Sequence, residues 1–273
     1  MTILQYPGKK NSIAKWIISH FPNDYQSMTY LEPFFGSGCI FFRKERSAVE
    51  TINDLDDEIF NLFLQIRDNP EELMLLLTNT PWSRADYDLS FEKTDNLVEQ
   101  ARRCIVRFWF TVGANVRIKN GMRFDILRNS GALSNFHLNL PEMIIRVSER
   151  LKHDKKGIVQ IENRNVFELI PKYDRENVFM YLDPPYLLET RKNKKVYKHE
   201  MSFNEHEALL KLICCSKAKI MISGYMSELY TSYLKGWRLE QTTNKDQAGN
   251  TKTECIWMNY AGGQANLFTG GNV

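Results

Sequence analysis

Apolar positions along this chain fall into two patterns. Short runs rich in apolar residues recur at Met28 to Leu31, Ala48 to Ile52, Gly157 to Ile161, Val178 to Leu182 and Lys219 to Ser223, and the run Val178 to Leu182 is unbroken. Runs of this length, bounded by breakers, predict strands buried on both faces of a mainly parallel sheet. Between them, apolar residues at helical spacing predict helices: a short amphipathic one through Ile13, Trp16 and Ile17, capped by Asn11 or Ser12, then Cys39 to Lys44 and the stretch opening at Glu58. Further helices are expected over Glu71 to Leu77, Leu97 to Phe110, Pro141 to Leu151 and Phe203 to Cys215. Trp82 to Tyr87 starts another local element. Trp237 to Leu239 and Cys255 to Tyr260 flank a polar turn and read as an antiparallel pair at the sheet edge, before a frayed tail from Ala261 to Val273.

The alternation of strand and helix lapses between about Pro70 and Arg150, so the pattern predicts an α/β sheet interrupted by a helical insert. Inside the insert, Asn120-Gly121 sits between alternating residues, a hairpin signal because both tolerate positive φ. That hairpin would carry Arg117, Lys119 and Arg123 on a projecting arm.

Charge sharpens this division. The net charge is only +3, but residues 101–157 hold 12 basic and 4 acidic side chains, whereas residues 1–100 hold 9 and 16. A basic segment of this kind fits a polyanion partner, against the alternative of a solvated helical face. Five bases, Arg191, Lys192, Lys194, Lys195 and Lys198, crowd a second loop. The 5 cysteines show no metal-ligand spacing and read as reduced, mostly core residues of a cytoplasmic protein. No run reaches the length of a membrane span, and Met1 to Lys10 lacks the apolar stretch of a signal peptide.

Chemistry gathers at three strand ends. The strand Val178 to Leu182 stops at Asp183-Pro184-Pro185-Tyr186, because neither proline has an N–H to extend a ladder. The strand Met28 to Leu31 runs into Glu32-Pro33-Phe34-Phe35-Gly36-Ser37-Gly38, whose glycines permit a tight turn and close approach of a ligand. The strand Ala48 to Ile52 ends near Asp54, at the spacing of an acid that accepts ribose hydroxyls; the competing reading makes Asp54, Asp56 and Asp57 caps for the following helix, and both hold together. All three lie at the carboxyl edge of one sheet, where ligands bind in open α/β folds.

Together with Tyr6-Pro7-Gly8-Lys9-Lys10, these motifs in this order resemble the Dam-like, D12-class, alpha-type adenine-N6 DNA methyltransferases over nearly the whole chain. The resemblance implies a Rossmann-like S-adenosylmethionine-dependent methyltransferase sheet: a catalytic domain of residues 1–65 and 155–273, and an inserted helical target-recognition domain of residues 66–154. It implies Asp183, Pro184 and Tyr186 as catalytic residues, and Tyr6, Lys10, Phe35, Gly36, Gly38, Asp54, Asn165 and Asp183 at S-adenosylmethionine. It also implies double-stranded DNA as partner, no metal, and a monomer or transient dimer. Arg117, Lys119, Arg123, Arg128, Lys192, Lys194, Lys195 and Lys198 are the expected DNA contacts. Three positions depart from the family pattern: Lys9 replaces a glycine, Asp56 an asparagine, and Asn165 an aspartate whose acceptor role an amide oxygen can also fill. His206 resembles a motif opening the next helix; by itself it reads as a capping or core histidine.

The chemistry agrees. The exocyclic amine of adenine is a poor nucleophile, its lone pair being delocalised into the ring. Acceptors at Asp183 and the Pro184 carbonyl would rehybridise it, and positioning of this kind is worth about 7–11 kcal/mol in the best intramolecular cases. The base must leave the duplex to reach this edge. Stacking on Tyr186 would add roughly 1–3 kcal/mol. Two rival readings are cytosine-N4 methylation, which the same geometry serves, and a non-catalytic DNA-binding regulator that keeps the fold.

Overall fold

The computed structural model describes residues 3–6, 10–113, 115–124, 131–155, 157–191, 197–245 and 251–262. Lys9, Arg128, Lys192, Lys194, Lys195 and most of the expected C-terminal tail lie outside the described residues. The sheet has seven strands in the order β3-β2-β1-β4-β5-β7-β6. These are β1 (Thr29–Glu32), β2 (Val49–Asn53), β3 (Ile158–Glu162), β4 (Val178–Leu182), β5 (Lys219–Gly224), β6 (Arg238–Lys245) and β7 (Thr251–Met258). The first five are parallel; β7 runs antiparallel to β5 and pairs with β6 as a hairpin. The chain steps outward from β1 to β3 and returns to β4 beside β1. The carboxyl ends of β1 and β4 therefore flank the topological switch point, where a crevice opens.

β4 is buried along its whole length. Phe179 and Tyr181 enter one core with Phe21 and Tyr30, while Val178, Met180 and Leu182 enter the other with Leu209, Leu210 and Ile222. This is the period-2 alternation of a strand with two apolar faces. Each such side chain contributes roughly 1.5–3 kcal/mol by leaving water.

The helices are α1 (Ala14–Ser19), α2 (Asp57–Asp68), α3 (Pro70–Thr78), α4 (Arg84–Leu89), α5 (Leu97–Phe110), α6 (Gly131–Ser134), α7 (Leu140–Leu151), α8 (Val166–Leu169), α9 (Phe203–Cys214) and α10 (Glu228–Tyr233). A π-helical stretch, Asn135–Asn139, joins α6 to α7. Elements α3 to α7 occupy the stretch between α2 and β3, and α5 and α7 pack against α2. The insert is riveted to the sheet by charge: Arg150 on α7 reaches Glu50 on β2 with bonds of 2.6 and 2.8 Å, and Lys44 closes on the same buried carboxylate. Among the described residues no helix is long and apolar enough to cross a membrane.

Three local expectations are corrected. Cys39 to Lys44 forms successive turns rather than a helix. Its hydrogen bonds switch between i−4 (Phe42 to Gly38) and i−3 (Arg43 to Ile40), while Phe41 is drawn under Arg150 and Phe42 against Phe63. Neither Asn11 nor Ser12 caps α1, which begins after Ile13 without a side-chain cap; the Asn11 carboxamide instead accepts from Cys39 Sγ at 3.0 Å. Asn120-Gly121 is not a tight hairpin turn. The segment from Thr111 to Met122 is closed by one isolated bridge and by Val112 N–H donating to Gly121 O, and the positive φ falls at Gly113. Tyr87 donates to Asn120 O and Trp82 Nε1 to Arg123 O, so tertiary partners take the backbone groups that hairpin arms would have paired.

Candidate active site

The core of the site is a carboxylate held from two sides. Asp183 follows the last residue of β4. Ser223 on the neighbouring β5 donates its hydroxyl to Asp183 Oδ1 at 2.6 Å. Lys10, buried, brings Nζ to 3.2 Å from the same oxygen and 3.8 Å from Glu254 Oε2. Burial alone would lower the Lys10 pKa, but Asp183 and then Glu254 reverse this and hold the ammonium group charged above its ordinary range. Lys10 Nζ also lies 4.4 Å from the centroid of the Tyr186 ring. The Tyr186 phenol donates to Glu254 Oε2 at 2.8 Å, and its ring meets Tyr225 edge-on at 4.6 Å. Burial, then Glu254 and Asp183, push the Tyr186 pKa well above its usual value, so the phenol stays protonated.

Beside it, Gly36 and Gly38 have φ of 51° and 64°. Both are left-handed, and a Cβ on Gly38 would stand 2.4 Å from the Phe35 ring. Gly36 N–H donates to Asp54 Oδ2 at 2.7 Å, tying the turn after β1 to the acid after β2. Asp54 Oδ1 accepts from Asp56 N–H, and Asp56 caps α2 through Glu58 N–H, so the capping reading holds for Asp56. Burial pushes the Asp54 pKa up to about 6, against the Gly36 hydrogen bond and the positive charges of Arg117 and Lys198. Phe35, Asp54, Ile59, Phe60 and Glu162 border a hollow of about 10 Å³ next to it, room for a single water. The Tyr6 ring covers Gly36 and stacks on Phe108 at 5.4 Å. Phe35 is itself buried among Phe41, Phe42 and Phe63. Exposed Asn165 caps α8, its oxygen accepting from Phe167 N–H at 3.0 Å.

These features fit S-adenosylmethionine. The carboxylate oxygens of Asp54 retain lone pairs for sugar hydroxyls, and apolar side chains adjoin the acid. Of the two motif departures, Asn165 spends one lone pair of its oxygen on the α8 cap, and the Asp56 carboxylate is taken up by Glu58 N–H, Arg117 and Lys198.

The basic residues behave differently from the expected projecting arm. Arg117 folds back to Asp56 and lies 2.6 Å from Glu58 Oε2, where Arg107 also arrives at 2.7 Å. Lys198 pairs with Asp56 at 3.2 Å and Asp57 at 2.8 Å. Arg123 Nε donates to Thr111 O at 2.9 Å. Lys119 is exposed and pairs with half-buried Asp88 at 2.8 Å. His206 is fully buried, 3.1 Å from Tyr230 OH, and burial pulls its pKa down to about 4, so it is a neutral core residue; Ser202 caps that helix. Among the described residues no group of three or more His, Cys, Asp or Glu side chains is arranged to hold a metal ion.

Sequence reasoning missed Ser223, Glu254 and Tyr197. Tyr197 lies 6.0 Å from the Tyr6 ring in the loop after the catalytic strand. Glu254 left a trace: it is an acid at an inward register position, opening the buried run Cys255 to Met258.

The fold and the Asp-Pro-Pro-Tyr centre define an S-adenosylmethionine-dependent methyltransferase. The chain belongs to the D12 class of N6 adenine-specific DNA methyltransferases, whose family model matches residues 6–248. Over 94% of its length, and 94% of the relative's, it is 27% identical to the Type II methyltransferase M1.LlaDCHI of Lactococcus lactis subsp. cremoris. Among solved structures it is similar to the rRNA methyltransferase aviRa from Streptomyces viridochromogenes, at 14% identity and a TM-score of 0.44, covering 94% of this chain and 88% of the other. The protein is a site-specific DNA methyltransferase that modifies adenine at N6 with S-adenosylmethionine.

Proposed function

We propose that Asp183, Pro184 and Tyr186 receive the target adenine, and that one oxygen of Asp183 is reserved for it. The observation that carries this is the convergence of Ser223 and Lys10 on Oδ1. With two donors there, Oδ2 is left to accept one N–H of the target amine, and the Pro184 carbonyl accepts the other. The amine nitrogen then turns its lone pair out of the ring plane, and Tyr186 supports the base from its face. S-adenosylmethionine supplies a methyl group already activated on a sulfonium centre, so the chemistry calls for no metal. Asp54 holds its sugar, the turn at Gly36 and Gly38 lies beneath its amino-acid part with Tyr6 and Phe35, and Asn165 offers an acceptor to its adenine. Ser223 supports the reading by rigidity: a serine on an adjacent strand fixes the carboxylate plane more firmly than a loop residue does.

The partner on this reading is duplex DNA, met by residues 66–154 as a target-recognition domain beside a catalytic domain of 1–65 and 155–273. Lys119, Arg128, Lys192, Lys194 and Lys195 are its phosphate contacts. Arg117, Arg123 and Lys198 reach DNA only after exchanging internal partners. The enzyme acts in the cytoplasm, as a monomer, and as the modification arm of a restriction system; the relative named as a Type II methyltransferase supports the last point.

The test is Asp183→Ala. Methyl transfer falls below detection while DNA affinity stays within about threefold; near-normal turnover refutes the assigned role.

A further inference from the structure

Glu254 has no part in the chemistry described so far, yet it is 7% exposed at the centre of the site. It sits on β7, which reaches the cleft only through β5. A buried carboxylate is costly unless paired and hydrogen-bonded. Its pairing here is specific: the Tyr186 phenol donates to Oε2 at 2.8 Å, Lys10 Nζ stands 3.8 Å from the same oxygen, and Tyr225 lies against the pair.

We propose that Glu254 is a positioning residue for the target base, acting through Tyr186 and Lys10. A tyrosine ring is free to rotate about χ2 and to tilt with χ1, and the prolines before Tyr186 fix only its backbone. Anchoring the phenol oxygen, which lies on the χ2 axis, removes the tilt, while Lys10 over the ring and Tyr225 edge-on against it oppose rotation; together they set the plane on which the base stacks. The same carboxylate draws Lys10 toward itself. Lys10 therefore lies across the ring face, shared between two carboxylates, rather than wholly committed to Asp183. Removing Glu254 loosens the stacking plane and delivers the ammonium to Asp183, the group that must accept from the target amine.

This rests on Asp183 and Tyr186 holding the target base. The test uses the full chain and a duplex carrying its methylated sequence, read from the wild-type product by modified-base sequencing. 2-Aminopurine at the target position gives fluorescence when the base is unstacked. Glu254→Ala and Tyr186→Phe are each expected to lower kcat about tenfold and to alter the 2-aminopurine signal, with S-adenosylmethionine affinity unchanged. The double variant should be no worse than about twice Glu254→Ala, because Tyr186→Phe removes one of the two contacts that Glu254→Ala already removes. Glu254→Gln, whose amide oxygen still accepts the phenol but which lacks the charge that draws Lys10, should fall between the wild type and Glu254→Ala. Wild-type kcat and fluorescence in Glu254→Ala overturn the proposal, as does a double-variant loss equal to the product of the singles. If Glu254→Ala does not fold, Tyr186→Phe decides: a wild-type rate overturns the proposal. Full activity in Asp183→Ala would instead sink the reading of the site beneath it.

Discussion

Ser223 on β5 donates its hydroxyl to Asp183 Oδ1 at 2.6 Å, so the strand beside β4 holds one oxygen of that carboxylate. Ser223 Oγ also contacts Leu182 O at 3.2 Å, which anchors it to the strand that ends at Asp183. Ser223→Ala frees the carboxylate to rotate. Displacements on the scale of an ångström cost up to about 100-fold in rate. The expected result is a kcat lowered ~10–100-fold, with S-adenosylmethionine binding intact in calorimetry. Equal losses in cofactor affinity would mean that Ser223 serves the fold of the crevice rather than the carboxylate.

On the proposed reading, in which Asp54 holds the sugar of S-adenosylmethionine, cofactor binding is pH-dependent. Its pKa is pushed up to about 6 by burial, against Gly36, Arg117 and Lys198. Only the ionised form offers all its lone pairs to sugar hydroxyls, so affinity for S-adenosylmethionine should be full above that value and decline as pH falls through it. The folding linkage has the opposite sign: a raised carboxyl pKa favours the folded state below the unfolded value, and that contribution is lost as pH rises through about 6. Titration calorimetry between about pH 5 and 7.5 reads the first effect. Asp54→Asn should bind at least about tenfold more weakly at the upper end, since a bond to a charged acceptor is worth roughly 1.5–3 kcal/mol, and should show a flat profile. A pH step that survives in Asp54→Asn assigns the titration elsewhere.

The buried charges at Glu50 tie the insert to the sheet. Lys44 pairs with this carboxylate and crosses the Tyr30 ring at 4.0 Å, while Arg150 arrives from α7. Burial pulls the Lys44 pKa down to about 8, against Glu50. Glu50→Ala strands two cations, and breaking a buried pair in this way costs about 3–5 kcal/mol. Urea unfolding should show a midpoint lowered accordingly. A loss under about 1 kcal/mol, the range of exposed pairs, would show that the junction carries little of the fold.

The catalytic strand was legible because both of its faces are buried, which leaves no polar gap from Val178 to Leu182, and because two prolines end it abruptly. The glycine turn and Asp54 were legible for a similar reason: each motif is local, and its backbone demands act within a few residues. Ser223 and Glu254 were not, since their roles arise from strand order, which brings β5 and β7 to β4 without any sequence proximity. Arg117 was misread from a local preference. Asn120-Gly121 tolerates positive φ, but Tyr87 and Trp82 claim the backbone around it, and Arg117 turns inward to Asp56 and Glu58. Local pattern thus set most elements and the motifs at the strand ends, whereas the long-range polar partners came from packing.

The most direct measurement is transfer of labelled methyl groups from S-adenosylmethionine to mixed-sequence duplex DNA, followed by nucleoside analysis of the product. N6-methyladenine as the labelled nucleoside is the expected result. Label in N4-methylcytosine, or heat on cofactor binding with no transfer to any DNA, would contradict the account.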